Sequence, residues 1–349
     1  MISICMIVKN EGEILRRSLD ELSKHNYEII IVDTGSTDDT KKVALEYTKN
    51  IFDYSWDNNF SNARNFSISK ATNSIVLIID ADEVVIDLDK KVLEKTILEN
   101  ADKVGRILIR NEYVRNGKKQ AYTGYINRLF NKELFEYEGN IHEQVVSRNK
   151  KPYKTFELPI KINHYGYSDK EIDRKNKTKR NIEMLRGELE KRYDPYLLYQ
   201  LGKSFYTEGN YMEAEINFKE ALKFDLNNNL EYVEDLIESY GYTLINQAKY
   251  RESSEILKVY EYFKESADFI FLIGLIYMNN GYFFEAIREF ENAKLLKRNK
   301  MDGVNSYLAN YNIAVINECL GNFKEALLYY DLCGDYENAI ERRERLKRI

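Results

Sequence analysis

Ile75-Val76-Leu77-Ile78-Ile79-Asp80-Ala81-Asp82-Glu83 sets an unbroken apolar run against three carboxylates in its last four positions. The run is of strand length and rich in β-branched side chains, so it reads as a buried strand ending in polar groups. Side chains alternate along a strand, and Asp80 and Asp82 project the same way if the extended conformation continues. Two like charges held together are costly unless a cation lies between them or water solvates them. Oxygen ligands favour a hard ion, Mg²⁺ or Mn²⁺, and such an ion favours a phosphate-bearing substrate. A solvated turn or a helix N-terminus, where acids are common, is the competing reading.

Working outward, Ile2–Val8 and Ile29–Val32 are further apolar runs of strand length. Between the strands lie Glu11–Lys24, Asp38–Lys49 and Asn59–Ala71, whose apolar residues recur at helical spacing. Strands separated by helices imply a mostly parallel α/β sheet with both faces covered. Open sheets of this kind bind ligands outside the C-terminal ends of their strands, where the acids fall. From Val104 to His164 the grammar changes to mixed strands and loops rich in Arg, Asn, Gly and Tyr, read as added structure over that edge.

The second half repeats itself. Leu201-Gly202, Phe205, Gly209, Tyr211, Ala214, Phe218 and Ala221 fit the helix–turn–helix spacing of a tetratricopeptide repeat. Related offsets recur at Tyr240-Gly241, at Ile273-Gly274 and, in degenerate form, at Ile313-Ala314. Small residues at Gly202, Gly241 and Gly274 let a paired helix approach, while large residues fill between layers. Two of the three phases exceed the ideal of about 34 residues, so two loops carry insertions. The expected organisation is an α/β domain over residues 1–167, a charged connecting helix over 168–194 and an all-α repeat solenoid over 195–349. The Arg-rich segment Glu341–Ile349 closes the stack as a polar cap.

Composition narrows the function. A length of 349 residues suggests two or three domains. The formal charge of −5 argues against a nucleic-acid partner, which would need a basic excess. Cys5, Cys319 and Cys333 are an odd, widely spaced set, which fits a reducing, cytoplasmic setting better than a disulfide framework. No apolar run approaches the roughly 20 residues of a membrane span. Lys9, Asn10 and Glu11 interrupt the first apolar stretch and speak against a signal peptide.

Three more segments carry candidate chemistry. Asp33-Thr34-Gly35-Ser36-Thr37-Asp38 follows a strand; Gly35 permits a tight turn, Ser36 or Asp38 can cap a helix, and Asp33 could accept a hydrogen bond from a nucleobase imide. Lys9-Asn10-Glu11 ends the first strand at the same edge. Trp56-Asp57-Asn58-Asn59-Phe60-Ser61-Asn62-Ala63-Arg64-Asn65 offers Arg64, whose planar fork suits the oxygens of a diphosphate. Each has a plain alternative as a turn, a cap or a wall residue.

Together, Met6-Ile7-Val8-Lys9-Asn10-Glu11, Ile31-Val32-Asp33-Thr34-Gly35-Ser36-Thr37-Asp38, Phe60-Ser61-Asn62-Ala63-Arg64-Asn65 and Asp80-Ala81-Asp82-Glu83 resemble glycosyltransferase family 2. The branch is the one in which a GT-A nucleotide-sugar domain precedes tetratricopeptide repeats; Asn73-Ser74 departs from the Gly-Asp-Trp that relatives often carry before the fourth strand. The resemblance implies a UDP-sugar donor lined by Val8, Asn10, Glu11, Asp33, Arg64, Asp80, Ala81 and Asp82, with Asp33 on the uracil. Asp80–Asp82 match the DXD motif, and His164 resembles the C-terminal histidine that often completes metal or diphosphate binding. The implied metal set is Asp82, Asp80 and His164 with Mn²⁺ or Mg²⁺. Gly139-Asn140-Ile141-His142-Glu143 is similar to a late segment of the branch, and an inverting reaction needs a base in reach of the acceptor hydroxyl. Glu143 is the first candidate and His142 the second; in a strand, only one of the two would face the cleft. His25 is assigned no function.

The expected activity is transfer of GlcNAc or glucose from UDP to a protein or peptide, with bacterial flagellin or a secreted peptide as the substrate class. A saccharide or lipid-linked glycan acceptor, and a non-catalytic repeat adaptor, are the alternatives. Dimerisation through the repeats is left open.

Overall fold

The computed structural model describes residues 2–115, 118–164 and 171–348. The chain divides into two compact units, Met1–Arg174 and Lys175–Ile349. The expected boundary at 167/168 lies outside the described residues.

In chain order the first unit runs β1 (Ile2–Val8), α1 (Gly12–Leu22), β2 (Glu28–Asp33), α2 (Thr40–Leu45), β3 (Ile51–Asp53), α3 (Phe60–Ser69), β4 (Ile75–Ile78), β5 (Glu83–Leu88), α4 (Lys90–Leu98), β6 (Val104–Arg115), β7 (Lys118–Asn131), β8 (Phe135–Glu138), β9 (Gln144–Ser147) and β10 (Thr155–His164). Eight strands form one sheet in the order β3-β2-β1-β4-β7-β6-β10-β5, and β8 pairs only with β9. The pairs β1–β2, β1–β4, β2–β3 and β6–β10 are parallel; β4–β7, β6–β7 and β5–β10 are antiparallel. The mostly parallel expectation therefore holds, with β7 reversed in the middle and β5 at the edge.

Alternation along β1 sends Ile4 and Met6 to one core and Cys5 to the other. The first core is closed by Leu15, Leu19 and Leu22 of α1 and by Leu93 and Ile97 of α4. The second is closed by Ile68 of α3 and by Phe130, Phe135, Tyr137 and Val145. Both faces are covered, as the continuous apolar strands require. The helix expected over Asp38–Lys49 is shorter. Asp38 takes up the Thr40 amide at 3.0 Å ahead of the first turn, and Thr48 Oγ1 turns away to donate to the Ile29 carbonyl at 2.8 Å.

The second unit is helical: α5 (Glu171–Lys191), α6 (Pro195–Thr207), α7 (Tyr211–Ala221), α8 (Glu231–Asn246), α9 (Tyr250–Ser253), α10 (Tyr260–Phe263), α11 (Ala267–Asn279), α12 (Phe283–Leu295), α13 (Tyr307–Cys319), α14 (Phe323–Asp331) and α15 (Glu337–Leu346). Asp194 caps α6 by accepting from the Tyr196 and Leu197 amides, with Pro195 at the first helical position. The first helix of each repeat ends on a left-handed residue, in turn Gly209, Ala248, Gly281 and Gly321. The packing argument for the small residues holds. A Cβ on Gly202 would sit 2.5 Å from the Phe218 ring, and one on Gly274 would sit 2.6 Å from the Phe290 ring. The second repeat departs from the pattern, because its second helix is broken into α9, a 3₁₀ stretch over Ser254–Val259 and α10.

Both insertions are present, between α7 and α8 and between α12 and α13. The second is pinned by buried acids. Asp268 accepts from the Lys300 and Met301 amides at 2.6 and 2.8 Å, and Lys300 Nζ reaches Glu238 at 2.6 Å. Arg298 donates to Glu234 at 2.8 Å. Among the described residues no helix is long and apolar enough to cross a membrane.

Candidate active site at the strand ends

Because β2, β1 and β4 are neighbours and parallel, their C-terminal ends share one edge. Val8 lies in register with Asp33, and the Val8 carbonyl accepts from the Thr34 amide at 3.0 Å. Asn10, in the left-handed region at φ 57°, stitches the two loops together. Its side chain accepts from the Thr37 amide at 2.8 Å, and its own amide donates to Ser36 Oγ at 2.9 Å. Glu11 continues the seam through its amide to Thr40 Oγ1, 2.8 Å.

Asp33 is 1% exposed. Its Oδ1 accepts from the Gly35 and Ser36 amides, both at 2.9 Å. Its Oδ2 is buried without a hydrogen-bond partner. A buried carboxylate oxygen in that state can accept one more hydrogen bond, from water or from a ligand.

The acids after β4 do not continue the strand, and the expectation that Asp80 and Asp82 point the same way is corrected. The chain turns at Ala81-Asp82, with the Glu83 amide donating to the Asp80 carbonyl at 3.1 Å. Asp80 meets two guanidinium groups: Arg64 Nη1 at 2.8 Å and Arg128 Nη2 at 2.7 Å. Arg128 also donates to Glu83 at 2.8 Å, and Glu83 Oε2 accepts the Asp80 amide at 2.9 Å. Arg64 Nε is hydrogen-bonded to Glu143 Oε1. Burial pushes the Asp80 carboxyl up, but Arg128 and Arg64 outweigh it and hold the group well below the usual carboxylate range. Burial dominates at Glu83, whose carboxyl is raised.

Asp82 faces the other way. Its Oδ2 lies 3.0 Å from His164 Nε2. Sheet register brings this about: β5 runs antiparallel to β10 and sets Glu83 opposite His164, so the residue before Glu83 meets the imidazole. Burial alone would lower the His164 pKa, yet the hydrogen bond and charge of Asp82 raise it. Ala81, between the two acids, is buried.

His142 and Glu143 lie in a bend between β8 and β9, not in a strand, so the alternation argument does not apply to them. His142 adopts φ 50°, uncommon for a residue with a side chain, and its Nε2 is buried without a partner. Burial pushes its pKa down, against the pull of Glu143. The bend is docked on α3. Asn59, the N-cap of α3, donates to Asn140 Oδ1 at 2.6 Å, and Asn65 pairs with both backbone groups of Tyr137. These asparagines carry Glu143 to Arg64.

Sequence reasoning missed Arg128 as a site residue. The signal was an arginine next to the strand residues Leu129 and Phe130, a position that needs a partner once buried. Asp33, Arg64, Asp80, Asp82, Glu143 and His164 fall in the same unit. Arg64, Asp80 and Glu143 form one ionic network with Arg128 and Glu83; Asp82 and His164 form a separate pair. Among the described residues no group of three or more His, Cys, Asp or Glu side chains is arranged to hold a metal ion. Hard divalent ions, however, are commonly held by one or two protein ligands together with substrate phosphates. Neighbouring positions around an octahedral ion with bonds of about 2.1 Å lie about 3.0 Å apart. The Asp82–His164 separation of 3.0 Å fits that donor set.

A mostly parallel sheet with an acidic, arginine-braced strand edge, followed by stacked helix pairs, defines an α/β domain joined to helical repeats. The model of glycosyl transferase family 2 matches residues 3–157, the α/β domain. The chain is 29% identical over 232 residues to a TPR repeat-containing protein of Synechococcus elongatus, covering 64% of this chain and 56% of that protein. It is 30% identical over 220 residues to the SPbeta prophage-derived glycosyltransferase SunS of Bacillus subtilis, covering 58% of this chain and 48% of SunS. The chain thus spans about half the length of these curated relatives. Solved structures similar to it include YrrB, a TPR protein with an unusual peptide-binding site (TM-score 0.41, 20% identity, 50% of this chain and 87% of that one). Another is MamA of Desulfovibrio magneticus (TM-score 0.38, 18% identity, 50% and 94%).

Proposed function

We propose that this chain is a metal-dependent inverting glycosyltransferase that moves GlcNAc or glucose from a UDP-sugar to a protein or peptide. The observation that carries the reading is the Asp82–His164 pair, set on the strand edge that also holds the orphaned Asp33 oxygen. Asp33 Oδ2 would accept the imide N–H of the uracil and so fix the nucleotide. A divalent ion held by Asp82 and His164 would neutralise charge on the departing diphosphate. Asp80 and Glu143 hold the buried Arg64 guanidinium beside Arg128, and a diphosphate arriving at this edge would share Arg64 with those carboxylates.

Glu143 is the proposed base. Arg64 holds Oε1 and leaves Oε2 to take the proton of the acceptor hydroxyl. The hydroxyl oxygen then attacks the anomeric carbon from the face opposite UDP. His142, whose pKa burial lowers, would donate or accept a hydrogen bond beside that proton transfer. Stacked helix pairs give long surfaces that suit a macromolecular acceptor, which favours a polypeptide.

Incubating the full chain with a panel of UDP-sugars and Mn²⁺, with peptide and saccharide acceptors in separate arms, tests the reading. Transfer to peptide with release of UDP is expected. No hydrolysis or transfer with any donor would overturn it, and transfer to saccharide alone would overturn the acceptor.

A further inference from the structure

We propose that Asn111 is a positioning residue for the cation site, fixing the His164 ring so that Nε2 presents its lone pair to the ion shared with Asp82. The inference rests on the metal-dependent reading above and extends it to a residue outside the sequence motifs.

The two ring nitrogens of His164 face two oxygens. Nδ1 is 2.8 Å from Asn111 Oδ1, and Nε2 is 3.0 Å from Asp82 Oδ2. A carboxamide oxygen only accepts, so Nδ1 carries the hydrogen and donates it to Asn111. With no ion bound, a hydrogen on Nε2 is shared with Asp82 Oδ2. An ion would displace that hydrogen and take its place between the two atoms, while Nδ1 keeps its own hydrogen on Asn111. Histidines that ligate metals almost always donate their other N–H to an oxygen, which sets tautomer and ring orientation. Asn111 Oδ1 is such an oxygen.

The backbone arranges this contact deliberately. In the parallel β6–β10 ladder, Glu157 pairs with Arg106, but Lys161 pairs with Leu108. The two extra residues of β10 fall in a stretch containing Pro159, which has no N–H to give to a ladder. The shift sets His164 opposite Asn111; the earlier register would have set it opposite position 113. On the other side, β5 brings Glu83 opposite His164 and Asp82 to its ring. The imidazole is thus held between two strands, with one nitrogen assigned to each.

The test is the affinity of the full chain for Mn²⁺ in the presence of UDP, read by the electron paramagnetic resonance of free Mn²⁺, with melting temperature recorded without metal. Asn111→Ala should weaken Mn²⁺ binding by about 10–100-fold. Asn111→Asp, which keeps an accepting oxygen at Nδ1, should restore binding to near the wild-type level. That rescue is not expected of a residue that merely packs. Asp82→Ala and His164→Ala serve as controls and should bind no Mn²⁺ at this site.

If Asn111→Ala binds Mn²⁺ like the wild type while both controls lose it, the role of Asn111 is overturned and the metal reading stands. Equal loss in Asn111→Ala and Asn111→Asp, with melting temperatures unchanged, would also overturn it, because Oδ1 would not be the accepting atom. If the wild type itself binds no Mn²⁺ with UDP, the metal reading and this inference fall together.

Discussion

The two units each bury a network of opposite charges, and the networks serve different ends. In the repeats, Asp268, Glu234 and Glu238 close on Arg298, Lys300 and the backbone amides of a long inserted loop. Every donor there belongs to the segment being held, so the carboxylates act as a clasp. In the α/β unit, Asp80, Glu83 and Glu143 close chiefly on the side chains of Arg64 and Arg128, with a single backbone amide, that of Asp80, taken up by Glu83. Beside that network stand Asp82 and His164, each left about a quarter exposed. Buried charge by itself is therefore no mark of function. The distinguishing marks are the strand-edge location and the partly open Asp82–His164 pair; buried oxygens without a hydrogen-bond partner occur in both units, on Asp33 and on Glu234 and Glu238.

Breaking each network in turn sharpens the contrast. Arg64→Ala leaves Asp80 and Glu143 without their shared buried partner and should cost about 3–5 kcal/mol of stability, measured by denaturant midpoint. Asp82→Ala should do the reverse. Transfer should fall by about 10²–10³-fold, the scale of one electrostatic contact made in the transition state, with little change in melting temperature. Retained turnover in Asp82→Ala would refute its metal role.

The clasp in the repeats should show itself through pH. Burial pushes the Glu238 carboxyl up to about 8; Lys300 opposes this, while Asp235 and Asp268 add to it. The folded chain then keeps a proton that the unfolded chain has released, so this contribution to stability is full below the ordinary value of 4.5 and is lost as pH rises toward about 8. Denaturant midpoints across that window should fall with rising pH, and Glu238→Gln should flatten the slope. The smallest effect is steric. Gly274→Ala forces a methyl against the Phe290 ring and should cost about 1–3 kcal/mol without altering donor binding.

Much of this was legible before the fold was seen, and the limits have physical causes. The strands Ile2–Val8 and Ile75–Ile78 stand out because a sheet covered on both faces demands unbroken apolar runs. Gly202 and Gly274 stand out because helices in a repeat must approach closely. The turn after Ile78 was not legible, since acids fit an extended edge as well as a bend. Arg128 and Asn111 were hidden for a different reason. Each reaches the site only through pairing between strands distant in sequence, and the register of β10 is set by an irregularity that no local pattern announces. The bend at His142 depends on a left-handed residue that is not glycine, the case in which turn chemistry is least visible.

The most direct measurement is a crystal structure of the full chain with UDP and Mn²⁺. The ion should lie in contact with Asp82 Oδ2 and His164 Nε2, with the diphosphate on its far side and the uracil edge at Asp33 Oδ2. An ion bound elsewhere, or a nucleotide that leaves Asp33 and Asp82 untouched, would contradict the account.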